Sequence, residues 1–241
     1  MLEMTRYVDE ISENGFAIVP DVINSEMILQ LRQALAGVSS RNTSGRESSY
    51  GVRNLLYVVP AFRSLETHES VRALVDPIEG ENASIVRSIF FDKTQQANWK
   101  VSWHQDLTIA VRHKVEMPGF TAWSVKAGIA HVQPPAAVLE RVLTIRLHLD
   151  HTDEANGALV VLPGTHRLGR LGADQISSLR ENVSKVICRV QAGGALIMRP
   201  LLLHSSSSGS LPSRRRVIHL DFSAEELPGG LEWYRVGGEP A

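Results

Sequence analysis

The stretch Trp103-His104-Gln105-Asp106 lies in a region of short β-rich segments that alternate with polar breaks and that begins near Ala83. This rhythm of strands and turns is typical of an all-β sandwich or jelly roll. Because successive side chains of an extended strand alternate faces, His104 and Asp106 are predicted to project to one side. An imidazole and a carboxylate on one face supply two ligands of a 2-His-1-carboxylate metal site.

The third ligand of such a site has to come from a distant part of the chain. His204 is the candidate, because it follows the strand-like apolar run Ala195-Leu196-Ile197-Met198. Two histidines and one carboxylate leave metal positions open, an arrangement that suits non-haem iron and oxygen chemistry. Spacing alone does not select the pair, since three other His-x-Asp pairs occur, and each pair could be a buried or solvated pair without a metal: His148/Asp150, His151/Asp153 and His219/Asp221.

Composition narrows the class of protein. The chain has 241 residues, of which 43% are hydrophobic, and this fits one large domain with a sizeable core. With 25 basic and 26 acidic residues, the net charge of −1 gives no global field that favours nucleic acid or an anionic membrane. We therefore expect a small-molecule partner and neither a nucleic-acid nor a membrane partner.

The compartment is predicted from three features. The single cysteine, Cys188, excludes an intramolecular disulfide and favours a reducing compartment, and a buried strand thiol is the interpretation preferred over a reactive one. The N-terminal residues lack the basic start and apolar run of a secretion signal. No apolar segment approaches the roughly 20 residues of a membrane helix. These features predict a cytoplasmic protein.

Helices are predicted ahead of the β-rich region. One covers residues 5–14, and the apolar spacing of the second places four side chains on one face: Met27, Ile28, Leu31 and Leu35. A third begins near Thr67. Residues 37–49 are rich in Ser, Asn, Arg and Gly, which predicts a loop.

Residues 112–140 show little regular periodicity, which predicts a long irregular loop inserted in the domain. Such loops are usually functional or disordered. We interpret this one as a lid over the metal, with candidate substrate contacts at Trp123, Lys126 and Gln133. Arg53 and Asn54, polar residues beside an apolar strand, are further candidates, and solvated edge residues are the alternative.

Several ordered motifs resemble one known family. They are Phe91-Asp92-Lys93, Asn98-Trp99, Trp103-His104-Gln105-Asp106-Leu107, Asn156-Gly157-Ala158-Leu159 and Leu162-Pro163-Gly164-Thr165-His166. Over nearly the whole chain they are similar to the phytanoyl-CoA dioxygenase (phytanoyl-CoA 2-hydroxylase) family of Fe(II)- and 2-oxoglutarate-dependent oxygenases. The resemblance implies one domain over residues 1–241, with a cupin-like jelly roll (double-stranded β-helix) and flanking helices.

The same resemblance implies roles for single residues. It selects His104, Asp106 and His204 as the Fe(II) ligands. The arginine that binds the distal carboxylate of 2-oxoglutarate in this family falls eleven positions after the second histidine, which selects Arg215, and Ser206 matches a hydroxyl donor to the same carboxylate. Arg146, on one strand face with Thr144, matches a position that lines the cosubstrate pocket, although the family's namesake has an aromatic residue there.

The implied activity is that of a dioxygenase that uses Fe(II), 2-oxoglutarate and O2. It would hydroxylate or otherwise oxidise an unactivated C–H bond of a small-molecule metabolite or natural-product intermediate, with release of succinate and CO2. One alternative is a jelly-roll metal-dependent hydrolase or isomerase, because the same ligands can hold Zn²⁺ and a water. Another is a non-catalytic small-molecule binding protein, since a fold does not determine a function.

Overall fold

The computed structural model describes residues 2–36, 38, 51–95, 97–210 and 214–235, so the loop predicted at 37–49 lies outside the described residues apart from Val38. The described residues form six α-helices: α1 (Leu2–Asn14), α2 (Ser25–Ala36), α3 (Leu55–Val58), α4 (Glu69–Glu79), α5 (Ala136–Leu139) and α6 (Ala173–Asn182). They also form thirteen strands: β1 (Phe16–Val19), β2 (Val52–Arg53), β3 (Ser84–Lys93), β4 (Val101–His104), β5 (Ile109–Val111), β6 (Thr121–Lys126), β7 (Ile129–Gln133), β8 (Leu143–His148), β9 (Leu159–Val161), β10 (Val186–Ile187), β11 (Ala195–Met198), β12 (His204–Ser206) and β13 (Arg215–Ser223).

Two antiparallel sheets build the jelly roll. The larger sheet has six strands in the order β1-β11-β8-β13-β3-β2, and the smaller one has four in the order β10-β9-β12-β4. Strands that are neighbours in a sheet are far apart in the chain, as in the pairing of β12 with both β4 and β9. The predicted all-β core with flanking helices is confirmed.

Helices cover one face of the six-stranded sheet. Ile11 of α1, Leu31 of α2 and Leu74 of α4 pack in one cluster with Ile145 of β8 and Ile218 of β13. Each fully buried aliphatic side chain contributes about 1.5–3 kcal/mol. This cluster is the main core, and it lies outside the barrel.

The other face of the same sheet carries polar side chains. In β8 the aliphatic residues Leu143, Ile145 and Leu147 belong to the helix-side core, so Arg146 and His148 point to the opposite face by the two-residue alternation of a strand. Both of these polar residues are buried. The space between the two sheets therefore has a polar region inside the protein.

A separate apolar cluster joins the two sheets, and we call it the inter-sheet cluster: Leu159, Val161, Cys188, Val190, Leu196, Met198 and Leu202. Leu159 and Val161 belong to β9 of the smaller sheet, whereas Leu196 and Met198 belong to β11 of the larger one. The cluster therefore contributes to the spacing between the sheets.

Cys188 is fully buried in the inter-sheet cluster, and burial raises the pKa of its thiol to about 12. Because the thiolate is the nucleophile, only about one thiol in ten thousand is reactive at pH 8. We expect the native protein not to react with a thiol reagent such as DTNB and the guanidinium-unfolded protein to release one equivalent of chromophore. Rapid labelling of the native protein would contradict this description.

The prediction of an irregular loop over residues 112–140 is wrong. This segment contains the hairpin β6–β7 and α5, and the hairpin joins β5 in a three-stranded sheet. Ala127 and Gly128 have φ of 51° and 79°, which suits the two-residue turn of a hairpin. A register shift between Thr121 and Ser124 breaks the alternation of apolar and polar residues, and this explains why the strand pattern was not visible in the sequence.

Among the residues that the structure describes, no helix has the length and apolar character that crossing a bilayer requires.

Candidate metal centre

Two strands of the smaller sheet bring the three predicted metal ligands together. His104, the last residue of β4, is the direct cross-strand partner of His204, the first residue of β12. Their ring centroids are 4.2 Å apart, and Nε2 of His104 lies 4.0 Å from Oδ1 of Asp106. One ligand atom from each of the three residues lies within 4.8 Å of the others. These distances are those of a group that can surround one metal ion.

Asp106 lies just beyond the end of β4, where its backbone N–H donates to the carbonyl of Pro200 over 2.9 Å. Gln105 points the other way: its amide donates to the carbonyls of Gly169 and Leu201, at 2.8 and 2.7 Å. The alternation predicted for this stretch is thus present, although the strand itself ends at His104. Because these hydrogen bonds hold Gln105 on one side of the stretch, the side chains of His104 and Asp106 project to the other side.

Each histidine ring is oriented by a backbone carbonyl. Nδ1 of His104 lies 2.9 Å from the carbonyl oxygen of Ser102, and Nδ1 of His204 lies 2.8 Å from that of Leu202. A proton on each Nδ1 leaves Nε2 with a free lone pair, which is the form that binds a metal. Burial and the neighbouring His104 lower the pKa of His204 to about 4, so this ring is neutral near pH 7.

Asp106 is ionised despite its surroundings. Burial raises the pKa of its carboxyl, but the positive charge of Arg87 outweighs this effect, and the net result lies well below the ordinary value. Nη2 of Arg87 is 3.9 Å from Oδ2 of Asp106. The centre therefore offers one ionised carboxylate and two imidazole nitrogens.

A buried polar network stands behind this carboxylate. Nε of Arg87 donates to Asp221, whose other oxygen accepts the hydroxyl proton of Thr144 at 2.7 Å. Nε2 of His219 lies 3.0 Å from Asp221, and Nδ1 of His219 accepts from Nη1 of Arg146 at 2.9 Å. All five side chains are held by these contacts, so the network fixes the position of Arg87 beside Asp106.

A cavity of about 120 Å³ opens between the sheets at the three predicted ligands. Its walls carry both cationic and apolar side chains: Arg87, Ile89, Phe91, Trp99, Val101, His104, Asp106, Arg146, Leu159, His204, Ser206, Arg215 and His219. The structure thus places Arg146, Ser206 and Arg215 in one cavity with the three ligand candidates.

Arg215 and Arg146 each have an unused donor in this cavity. Their Nε atoms are buried and, among the described residues, have no hydrogen-bond partner. Arg215 donates from Nη1 to the carbonyl of Gly157, which also accepts from Ser206 at 2.8 Å. Burial and the charge of Arg146 lower the pKa of Arg215 to about 9, so it remains charged near pH 7. Together with Lys93, whose Nζ lies 3.4 Å from Oγ of Ser206, these cations suit an anionic ligand.

The remaining candidates lie outside this cavity. Thr144, predicted to line the cosubstrate pocket, is buried and donates to Asp221, so its place is behind the cavity wall. Arg53 is exposed in β2, opposite Ile89. Lys126 ends β6, and its Nζ lies 3.5 Å from the hydroxyl of Thr108.

The other three predicted substrate contacts are Asn54, Trp123 and Gln133, and none of them lines the cavity. Asn54 has a left-handed backbone (φ 57°) at the start of α3. Trp123 is half-buried, with Lys114 Nζ 5.8 Å from its ring centre. Gln133 accepts a hydrogen bond of 2.7 Å from Arg170.

Two of the competing His-x-Asp pairs lie apart from the three ligand candidates. His148 is buried, and Asp150 points to Arg216, whose Nε donates to it over 2.8 Å. His151 and Asp153 lie at a turn, where Asp153 caps the next short helix. The group of metal-ligating side chains found among the described residues is the one that the sequence selected.

Sequence reasoning missed three residues of the site: Arg87, His219 and Asp221. His219 and Asp221 share a strand face with Arg215, and this alternation could have placed them inside the barrel. Arg87 is the one charged residue of β3 before its polar end at Asp92 and Lys93, and a solvated edge residue would give the same sequence pattern.

Comparisons with known proteins agree with this geometry. The sequence profile of the phytanoyl-CoA dioxygenase (PhyH) family matches residues 11–217. No protein with a curated description matches the chain.

Solved structures show the same fold. AviO1 from Streptomyces viridochromogenes Tue57 is similar with a TM-score of 0.70 and 19% identity, covering 95% of this chain and 98% of that one. EctD from S. alaskensis, crystallised with 2-oxoglutarate and 5-hydroxyectoine, has a TM-score of 0.69 and 15% identity over 90% of this chain and 75% of that one. The non-haem α-ketoglutarate-dependent epimerase SnoN from nogalamycin biosynthesis has a TM-score of 0.67 and 16% identity over 100% and 93%.

Proposed function

Since the chain belongs to the phytanoyl-CoA dioxygenase family of Fe(II)- and 2-oxoglutarate-dependent oxygenases, we propose that its iron is held by His104, Asp106 and His204. The observation that carries this proposal is the approach of one ligand atom from each residue to within 4.8 Å of the others. The enzyme is an oxidoreductase that requires Fe(II), 2-oxoglutarate and O2.

The donor set fits this metal. Two imidazoles with a free Nε2 and one ionised carboxylate form the facial triad of non-haem iron enzymes. When bound, iron and 2-oxoglutarate would supply the chemistry by which O2 oxidises a C–H bond, and succinate and CO2 would be released. The protein's own task is to orient the reactants and to exclude water.

The cavity cations fit 2-oxoglutarate, a dicarboxylate. We assign its distal carboxylate to Arg215 with Ser206, and we place Arg146 in the same cosubstrate pocket. A buried guanidinium without an anion is costly, and a carboxylate satisfies it with charge-assisted hydrogen bonds. The unused Nε atoms of Arg146 and Arg215 support this assignment. Thr144 acts behind the pocket by holding Asp221.

We propose hydroxylation of an unactivated C–H bond as the reaction, in a small-molecule metabolite or natural-product intermediate. The complex of EctD with 5-hydroxyectoine supports a hydroxylated product in a protein of this fold, while SnoN is an epimerase. We further propose a single domain over residues 1–241, a lid formed by the hairpin β6–β7, and a cytoplasmic location, which the single cysteine supports.

Arg215→Leu is expected to weaken 2-oxoglutarate binding at least about 30-fold, because removing one partner of a buried charge pair costs about 2–5 kcal/mol. The measurement is anaerobic titration of the Fe(II)-loaded protein with 2-oxoglutarate, followed by the metal-to-ligand charge-transfer band of such complexes. The matched control is Arg214→Leu, since Arg214 is half-exposed and pairs with Asp92. Equal affinity in both variants would remove Arg215 from the cosubstrate site.

The wild type tests the function itself. A charge-transfer band and succinate release that both require Fe(II) and 2-oxoglutarate are expected. A protein that binds zinc and gives no band with Fe(II) would instead be the hydrolase or isomerase considered above.

A further inference from the structure

A second cavity lies on the outer face of the smaller sheet, and we call it the outer groove. Along β12 the side chains alternate, so that His204 lines the metal cavity and Ser205 lines the outer groove. In β9, Val161 packs in the inter-sheet cluster and Val160 lines the outer groove. The groove has a volume of about 470 Å³, and its lining residues are Lys100, Val101, Ser102, Trp103, Val160, Ile176, Arg180, Lys185, Ser205, Ser206 and Ser207.

Helix α6 forms the other wall of the outer groove. Ile176 and Arg180 of this helix line the groove. None of the ten residues of α6 is buried, so the helix does not close onto the sheet. The space that remains is within the roughly 300–1,000 Å³ of sites for small molecules. The groove is therefore large enough for a ligand of its own.

Three cations line the outer groove, and no acidic residue does. Lys100 lies just before β4, Arg180 lies in the last turn of α6, and Lys185 lies between α6 and β10. Among the residues that the structure describes, none of these three side chains has an ion pair or a hydrogen bond. Like charges around one cavity repel each other, and a bound anion would reverse the sign of this interaction.

The outer groove also offers hydroxyl donors. Ser102, Ser205 and Ser207 line it, and within the described part of the chain their hydroxyls have no hydrogen-bond partner. A phosphate group carries up to two negative charges and three strong acceptor oxygens, more than the single charge and two oxygens of a carboxylate. Three cations and three hydroxyls therefore match a phosphate better than a carboxylate. Trp103 and Val160 add apolar surface beside these donors.

We propose that the outer groove binds a small organic phosphate at a site separate from the metal cavity. Lys100, Arg180 and Lys185 would bind the phosphate group, while Trp103 and Ile176 would contact the organic part. This inference goes beyond the proposed function and does not depend on the identity of the metal.

The test uses the anaerobic protein loaded with Fe(II) and saturated with 2-oxoglutarate, so that the cations of the metal cavity are occupied. Calorimetric titration at physiological ionic strength, which screens exposed charges, compares phenyl phosphate with benzyl alcohol and with inorganic phosphate. We expect phenyl phosphate to bind to one site per chain, at least about tenfold more tightly than benzyl alcohol, because its hydrogen bonds are charge-assisted. It should also bind more tightly than inorganic phosphate, since its ring buries apolar surface.

Variants locate the binding site. The triple variant Lys100→Gln/Arg180→Gln/Lys185→Gln is expected to weaken phenyl phosphate binding at least about tenfold and to keep the charge-transfer band of the wild type, because all three residues are exposed and lie outside the metal cavity. Lys100→Arg/Lys185→Arg retains the charges and should retain the affinity. Arg235→Gln is the matched control, because Arg235 is exposed and does not line the outer groove.

Four results would overturn the inference. They are absence of phenyl phosphate binding in the wild type, equal binding of benzyl alcohol, equal binding of inorganic phosphate, and unchanged affinity in the triple variant. Hexaglutamate is titrated as a further probe. If it binds and phenyl phosphate does not, the outer groove instead receives an acidic segment of another protein.

Discussion

Replacing His104 or Asp106 by alanine is expected to abolish the charge-transfer band of the Fe(II)–2-oxoglutarate complex and, with it, succinate release. Loss of a residue in the outer layer of a metal site typically reduces affinity about 10–100-fold, and loss of one of three direct ligands exceeds this. The measurement is the band amplitude under anaerobic conditions, together with the bound iron per chain after gel filtration.

Two controls make this result specific. His151→Ala removes the histidine of another His-x-Asp pair, whose side chain is 46% exposed, and it is expected to keep the wild-type band. Circular dichroism of each variant separates loss of the metal from loss of the fold. A band of normal amplitude in His104→Ala would show that the iron lies elsewhere in the chain.

Replacing Arg87 by methionine is expected to destabilise the protein by about 3–5 kcal/mol, because it leaves a buried carboxylate without its cation. Arg87 is only 10% exposed, donates to Asp221 and lies 3.9 Å from Asp106. Urea unfolding monitored by fluorescence measures the loss. The same variant should bind iron more weakly, since Arg87 helps to orient Asp106.

The stability loss in Arg87→Met should depend on pH. Burial raises the pKa of Asp221, but Arg87 and His219 lower it more, to about 2. A lowered carboxyl pKa stabilises the fold above its unfolded value of about 3.9, and this contribution is lost as the pH falls toward 2. Without Arg87 the pKa of Asp221 rises, so in the variant this carboxylate is protonated at a higher pH. Protonation removes the unpaired buried charge and so reduces the destabilisation of the variant as the pH falls. The difference in stability between wild type and variant is therefore largest near neutral pH.

Arg112→Met is the matched control for this prediction. Arg112 forms an ion pair with Glu232 in which the side chains are 47% and 54% exposed, and such surface pairs contribute about 0–1 kcal/mol. If the two variants unfold at the same urea concentration, the buried network does not stabilise the fold.

The sequence was sufficient for the features that depend on local pattern or on ordered motifs. The alternation of β8 and the spacing of α2 follow from the side-chain periods of strands and helices. The choice among four His-x-Asp pairs did not follow from spacing and depended on the motifs around His104. Local pattern gave no reason to prefer it over His148, which has the same neighbour two residues later.

The features that could not be predicted depend on contacts between distant segments. Arg87 acquires its role from Asp221 and Asp106, and nothing in its own strand indicates these partners. The hairpin β6–β7 was hidden by one irregularity, since a bulge places neighbouring side chains out of the period that identifies a strand. Thr144 was predicted to bind the cosubstrate because it shares a strand face with Arg146, but only the structure shows that its hydroxyl is already used by Asp221.

The two histidine ligands and the two cavity arginines belong to different sheets. His104 and His204 belong to the smaller sheet, whereas Arg146 and Arg215 belong to the larger one. Their alignment depends on side chains such as Val161 and Met198 of the inter-sheet cluster, and tightly packed interiors transmit small displacements. The apolar filling between the layers is thus a determinant of catalytic precision, so natural selection for turnover acts on core residues that never meet a reactant.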